Sequence, residues 1–268
     1  MQPINILVKG GTTITMDAER RVIENGAVAV KDAEIVWVGK LEEAAEQFKP
    51  AQTLDASGKV VIPGIVNTHG HWAMTLFRGL VNDVPLEAWL DKIWKVEAEQ
   101  VSPETMVAGN QLAMVEMIRG GTTCAADMYW YYDESFDAVI DAGFRMVNGP
   151  SFADIPGFEE RMKESYNAAI GLLDRYQGQP LVHQCVQAHA TYTTNLKILE
   201  DIRGITADRD LLFITHAAES KGEMAMVQEK YGKTPIEVLD EAGLLTEKTL
   251  LAHCVHLSDA EIERMAET

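Results

Sequence analysis

Two patterns of apolar and polar positions divide the chain. Over residues 4–57 the apolar positions fall in short groups of β-formers: Ile4–Val8, Thr12–Met16, Ala27–Val30 and Ile35–Val38. Gly10-Gly11, Asn25-Gly26 and Gly39 punctuate them, as turn residues do. This stretch predicts a small β-module. From residue 60 the pattern changes. Apolar runs near 60–67, 122–128, 144–149, 181–187, 211–215 and 249–254 alternate with helical segments. Ser102-Pro103-Glu104 combines an N-cap, a proline at the first helical position and an early acid, and Gly120-Gly121 closes that helix. Thr234-Pro235 opens another, which ends near Gly243. Alternation of this kind predicts an α/β protein: a parallel sheet, or a β/α barrel of the TIM type. The sequence shows no internal repeat and no low-complexity tract.

Six strand–helix units can be counted, whereas a closed (β/α)8 barrel needs eight. The sixth helix opens on Ser258-Asp259-Ala260-Glu261, a capping box, and the chain stops soon afterwards at Thr268. Six open parallel strands would leave two unpaired edges and exposed apolar faces. The expectation is therefore a chain cut inside a larger protein. Residues 1–58 would form the β-module and residues 59–268 an incomplete barrel.

Composition narrows the partners. The 268 residues are 47% hydrophobic, enough for a large core. With 41 acidic against 23 basic residues, the net charge is −18. Phosphate backbones and anionic membranes repel such a surface, which excludes nucleic acid and membrane as main partners. The start, Met1-Gln2-Pro3-Ile4-Asn5, lacks the basic and apolar regions of a signal peptide. No apolar run approaches the ~18 residues of a membrane span. A soluble cytoplasmic protein is expected. Cys124, Cys185 and Cys254 are odd in number, widely spaced and set in apolar stretches, so they read as buried reduced thiols.

Candidate chemistry gathers at the strand ends. The apolar run from Val60 ends in His69-Gly70-His71. If the strand carries through His71, both imidazoles point to one face. They would then offer two nitrogen ligands to one metal ion, with Gly70 leaving room between them. Of seven histidines, His69, His71, His189, His216 and His253 fall at or just past the carboxyl ends of predicted strands. That is the face on which β/α barrels build active sites. A lone histidine is more often a satisfied core or surface imidazole; five at equivalent strand ends are poorly explained by chance. His216-Ala217-Ala218-Glu219 places a carboxylate where the chain turns off its strand. There it could take a proton from a metal-held water and hand it to a leaving group.

These residues carry a resemblance. Val61-Ile62-Pro63-Gly64 with Asn67-Thr68-His69-Gly70-His71 resembles the amidohydrolase superfamily, metal-dependent hydrolases on a β/α barrel with a small β-sandwich built from both chain ends. Residues Met74–Leu80, Trp89-Leu90, Gly121-Thr122-Thr123, Asp127-Met128-Tyr129, His216–Glu219 and Leu251–Leu257 narrow it. They look like the branch holding methylthioadenosine/S-adenosylhomocysteine deaminases and triazine hydrolases. The similarity runs from about residue 4 to the end.

The resemblance implies one divalent metal ion, zinc first and ferrous iron second, held by His69, His71 and His216. It implies Glu219 as proton shuttle and His253 as hydrogen-bond partner of the metal-held hydroxide. His189, in Ala188-His189-Ala190-Thr191-Tyr192-Thr193, matches a substrate-contacting histidine, with Ala188 where the family usually has proline. Glu97, in Trp94-Lys95-Val96-Glu97, matches a ribose-diol carboxylate, with Lys95 in place of the usual proline; an exposed helical glutamate is the alternative. Trp72 could wall the pocket and contact substrate, as could Trp130, Tyr131 and Tyr132; packing under loops is the alternative for all four. His183 and His256 take no family role and read as structural.

The implied reaction is hydrolytic deamination of an aminated purine nucleoside or related N-heterocycle, a hydrolase acting on C–N bonds in cyclic amidines. Water adds to the ring carbon and ammonia leaves. Three alternatives stay open. One is a triazine-type hydrolase that displaces chloride or an amine. Another is a guanine or other nucleobase aminohydrolase. The third is an inactive fragment lacking the last metal-ligand aspartate, which the family has after strand eight. The family binds the adenosylhomocysteine tail with arginines after strand three. Asn148-Gly149-Pro150-Ser151-Phe152 has none; Arg145 should point into the strand layer, and Arg161 fits only a shifted alignment. A homodimer is usual among proteins resembling this one.

Overall fold

A computed structural model describes residues 1–154, 168 and 170–268. The first strand, β1 (Gln2–Ile14), runs unbroken where the sequence suggested two strands. Gly10, at φ +85°, and Gly11 turn the expected break into a bulge, with register shifts between Lys9 and Gly11 and between Gly11 and Thr13. β1 pairs antiparallel with β2 (Val22–Lys31), and β2 pairs antiparallel with β3 (Glu34–Lys40). After α1 (Leu41–Gln47), β4 (Phe48–Asp55) and then β5 (Val60–Val61) join β1 in parallel. Ile4, Leu7, Ala27, Ala29 and Phe48 bury one face of this five-stranded sheet against Ala44 of α1.

The apolar run 60–67 is two strands, because Pro63-Gly64 interrupts it. Val60–Val61 stay with β1, whereas β6 (Ile65–Asn67) opens a second sheet. The chain accordingly divides into Met1–Gly64 and Ile65–Thr268, later than the boundary expected at 58.

The second unit alternates strands and helices. In chain order come α2 (Leu86–Gln100), α3 (Pro103–Gly120), β7 (Thr122–Ala126), α4 (Tyr132–Ala142), β8 (Arg145–Asn148) and β9 (Ser151–Phe152). There follow β10 (Val182–Ala190), α5 (Leu196–Arg209), β11 (Leu212–Ala217), α6 (Lys221–Tyr231), α7 (Pro235–Glu241), β12 (Thr249–His253) and α8 (Asp259–Ala266). Strands β6, β7, β8, β10, β11 and β12 lie side by side in that order, every pair parallel, and β9 also pairs with β10. This is an open half of a TIM-type barrel. Among the described residues β6 and β12 form its edges.

Helix ends fall where the sequence signals put them. Ser102 accepts from Thr105 N at 3.3 Å, Pro103 is the first helical residue, and Gly121 ends α3 at φ +87°. Thr234 and Ser258 close capping boxes on α7 and α8. Parallel strands need both faces covered. Val186 and Phe213 pack beneath Leu199, Ile202, Ile236 and Leu239, and Met146 packs beneath Phe136 and Val139. Cys185 is buried, whereas Cys124 and Cys254 are half-buried; all three are free thiols. No helix among the described residues is long and apolar enough to cross a membrane.

Candidate metal and substrate site

His69 and His71 do not lie on a strand. β6 ends at Asn67, so both stand in the loop beyond it, while His216 lies within the last residues of β11. The three candidate ligand nitrogens of His69, His71 and His216 all fall within 4.8 Å of one another. His216 Nε2 is 3.2 Å from His69 Nε2 and 3.3 Å from His71 Nε2. Two carbonyls set the tautomers. His71 Nδ1 donates to Met128 O at 2.8 Å, and His216 Nδ1 donates to His189 O at 2.6 Å. The Nε2 atoms of both rings therefore carry lone pairs, which cannot hydrogen-bond each other.

The rings are also held neutral. Burial, then the neighbouring His71 and His253, pushes His69 down to about 4. Burial lowers His71 against the pull of the Met128 carbonyl. His216 is held well below the ordinary value by burial and then by His189, His71 and His69. The Nε2 lone pairs of His71 and His216, 3.3 Å apart, repel each other unless a cation lies between them. The donor set fits a divalent ion of borderline softness such as zinc. Among the described residues no carboxylate joins this cluster.

The turn carrying the histidine pair is fastened to the end of β7. Met128 N donates to Gly70 O at 3.0 Å, and Trp72 N donates to Asp127 Oδ1 at 2.8 Å. Trp72 Nε1 donates to Ala126 O at 3.0 Å. Gly70 is needed for this approach, since a Cβ there would meet the Trp72 ring at 3.2 Å and Ala126 O at 3.4 Å. Trp72 itself corrects an expectation. It does not line the cavity; it is 3% exposed and packs on Phe144 and Met114 in the core under α3 and α4. The Ala126 carbonyl draws its N–H inward, away from any substrate.

Glu219 follows β11 through Ala218, which sits at φ +53°. The Glu223 carboxylate shapes this turn by accepting from Ala218 N at 3.2 Å and from Glu219 N at 2.7 Å. The sequence offered a signal for Glu223, because Ser220-Lys221-Gly222-Glu223 has capping-box spacing. Ser220 does cap Glu223 N, at 3.0 Å, but the glutamate side chain turns back to the loop. Burial and then Glu87 raise the Glu219 pKa. His253 Nε2 lies 3.5 Å from Glu219 Oε1, and its ring stacks on His216 at 5.3 Å. The loop after β12 is tied to the loop after β11: Cys254 N donates to Ala217 O at 3.0 Å and Val255 N to Ala218 O at 2.9 Å.

These groups line a cavity of about 420 Å³. One face of α2 walls it with Trp89, Ile93 and Trp94 and ends on Glu97. Glu97 is 4% exposed and accepts from Tyr129 Oη at 2.5 Å, so it is not an exposed helical glutamate. Tyr129 was missed as a partner, since its sequence position says nothing of α2. His189 Nδ1 donates to Thr193 Oγ1 at 2.8 Å, and that hydroxyl donates to Ala190 O at 3.1 Å. His189 Nε2 is thereby left as an acceptor, and burial, then His71, pushes this imidazole down to about 3. Trp130 lines the cavity, Tyr131 packs beside Tyr129, and Tyr132 lies in the core with Phe136. Arg145 is exposed at the start of β8, not in the strand layer. Arg161 lies outside the described residues.

A parallel β/α half-barrel with three convergent imidazoles at its strand ends defines a protein built to hold a metal ion beside a heterocycle-sized cavity. The chain belongs to the amidohydrolase family, whose pattern matches residues 60–268. A 5-methylthioadenosine/S-adenosylhomocysteine deaminase of Nitratidesulfovibrio vulgaris is 36% identical over 272 residues, covering 100% of this chain and 61% of that protein. A 5′-deoxyadenosine deaminase of Methanothermobacter thermautotrophicus is 36% identical, covering 98% of this chain and 60% of that protein. The crystal structure of an adenosine deaminase from Xanthomonas campestris with bound zinc superposes with a TM-score of 0.94 at 34% identity, over 99% of this chain and 61% of that one. The chain thus spans about 60% of the length of the relatives it matches.

Proposed function

We propose that residues 59–268 form the metal-dependent core of a hydrolytic deaminase acting on an aminated purine nucleoside, of the methylthioadenosine, 5′-deoxyadenosine or adenosylhomocysteine kind. The observation that carries this reading is the convergence of three imidazole nitrogens beside the Glu219–His253 pair. The deaminase names and the bound zinc of the relatives support it. His69, His71 and His216 would hold a divalent ion, zinc by its donor set, which supplies Lewis acidity and makes water nucleophilic near neutral pH.

The chain's own side chains do the rest. Glu219, its pKa raised by burial, takes a proton from the attacking water and delivers it to a ring nitrogen. That protonation leaves the amino-bearing carbon electron-poor as the water oxygen bonds to it. Glu219 then carries the hydroxyl proton of the adduct to the amino group, the C–N bond breaks with its electron pair, ammonia leaves and a ring carbonyl remains. His253 orients the water against Glu219. The acceptor Nε2 of His189 holds the heterocycle, Trp94 packs against that ring, and Glu97 receives the ribose hydroxyls. The reading extends to a homodimer, as the resemblance implies, which a light-scattering mass tests.

A second reading, a chain that binds metal and nucleoside without turnover, is favoured by the lack of a carboxylate in the histidine cluster among the described residues. Ammonia release from the zinc-loaded protein separates the two. Substrates would be methylthioadenosine, 5′-deoxyadenosine, adenosine and adenosylhomocysteine, with chloride release from a chlorotriazine measured beside them. Turnover of an aminopurine is expected, and Glu219→Gln should keep the metal and lose roughly 10²–10⁴-fold in rate. Zinc-loaded protein that frees no ammonia from any of them overturns the deaminase reading.

A further inference from the structure

The reaction does not use the most deeply buried carboxylate among the described residues. Asp127, at the carboxyl end of β7, is 1% exposed. Burying a carboxylate is costly unless its oxygens are satisfied, so its partners indicate its role. Oδ1 accepts the Trp72 N–H at 2.8 Å, the amide directly after His71. Oδ2 accepts Asn148 Nδ2 of β8 at 3.4 Å. The Asp127 carbonyl accepts Gln187 Nε2 of β10 at 2.6 Å, and the same Nε2 reaches Asn148 Oδ1 at 3.2 Å. Asn148 Oδ1 also accepts Gly149 N at 2.8 Å. Three consecutive strands thus contribute to one buried polar belt, and its outlet is the loop carrying two of the three clustered imidazoles.

The next residue completes the connection. Met128, peptide-bonded to Asp127, gives its N–H to Gly70 O at 3.0 Å and takes the Nδ1 proton of His71 at 2.8 Å. His71 is therefore held from both sides. Its ring is fixed by the Met128 carbonyl, and its backbone is fixed by the Asp127 carboxylate through Trp72. Outer-shell hydrogen bonds of this kind set the tautomer and direction of a ligating imidazole.

We propose that Asp127 is a positioning residue: by accepting the Trp72 N–H while Asn148 and Gln187 hold it in place, it fixes the His69-Gly70-His71 turn so that His71 presents Nε2 to the metal. This rests on the reading of His69, His71 and His216 as ligands.

The test uses the whole chain and two readouts. The first is zinc affinity of the metal-free protein, by competition with a chromophoric chelator. The second is the 15N NMR tautomer signature of His71 in the metal-free protein. Asp127→Ala is expected to fold, to bind zinc roughly 10–100-fold more weakly, and to lose the single Nδ1–H tautomer of His71. The double variant D127N with N148D exchanges amide and carboxylate. The new amide oxygen accepts the Trp72 N–H and its NH2 group donates to the new carboxylate, which still accepts from Gly149 and Gln187. It should regain wild-type affinity and tautomer.

A folded D127A variant with wild-type affinity and tautomer overturns the proposal. So does a folded double variant that binds as weakly as D127A. If D127A does not fold, the double variant alone decides. Wild-type protein that binds no zinc would sink the metal reading instead, while the His71 tautomer still judges the positioning role.

Discussion

At the scale of single residues, the site is organised by what each imidazole does with its second nitrogen. His71, His189 and His216 each direct Nδ1 to an oxygen, which leaves Nε2 as the free electron pair. The partners of His71 and His216 are not readable in the sequence, because a backbone carbonyl has no residue signature, whereas His189 uses the Thr193 hydroxyl four residues on. The histidines themselves were readable, since they recur at successive strand ends. Burial also lowers the pKa of all five site histidines, to about 4 for His69 and about 3 for His189. In the unfolded chain they return to the ordinary value near ~6.5. Between these values the unfolded state binds more protons, so histidine-linked stability is complete above about pH 6.5 and is lost as pH falls toward 4. Asp127 acts in the opposite sense. Burial raises it to about 7, so its contribution is full below its unfolded value and is lost as pH rises through 7. Burial also raises Glu219 and Glu223, in the same sense as Asp127, and the five histidines outweigh these three carboxyls. The melting temperature of metal-free protein should therefore fall steadily from pH 6.5 to 4; a flat or rising profile there would contradict the burial of neutral imidazoles.

At the scale of elements, strand-to-strand approach decides where the polar belt forms. Gly149 follows β8 where it passes β10, and a Cβ there would lie 1.9 Å from the Cys185 carbonyl oxygen. Backbone on both sides leaves nothing flexible to yield. Gly149→Ala should destabilise the protein by about 1–3 kcal/mol through overpacking, measured as a lower urea midpoint with an unchanged slope. The sequence showed the apolar run over 144–149 but not this contact. Helix ends were more legible, since Ser102-Pro103, Thr234-Pro235 and Ser258–Glu261 act through local bonds. The strand expected to carry His69 and His71 stops at Asn67, because the pair is held by the end of β7 rather than by its own ladder. A propensity reading sees β-formers in sequence and has no view of the neighbouring strand. The same limit explains Trp72, whose direction was set by Ala126 O and the core under α3 and α4.

At the scale of the whole molecule, the metal links the site to the fold. His69 and His71 follow the first strand of the large sheet and His216 ends the fifth, so an ion held by all three ties distant parts of one unit together. Binding only to the folded state should add stability by mass action, about 2.7 kcal/mol at a hundredfold excess over Kd. Calorimetry should show the melting temperature rising with zinc and returning with a chelator; a midpoint indifferent to zinc would rule out the three-histidine site. The acidic surface bears on solubility as well. With a net charge of −18 and a sequence pI near 4.7, the chain carries least charge in the window where its histidines become protonated.

The sequence by itself determined the alternating strand–helix order, the helix caps, the family motifs and the set of histidines at strand ends. Each of these depends on residue type and local spacing, which a linear chain states directly. Only the tertiary structure decided the tautomers, the turning of Trp72 into the core, the meeting of Glu97 with Tyr129, and the belt from Asp127 to Gln187. Those depend on which carbonyls and side chains of separate strands come within hydrogen-bond distance, and that is a property of packing rather than of order along the chain.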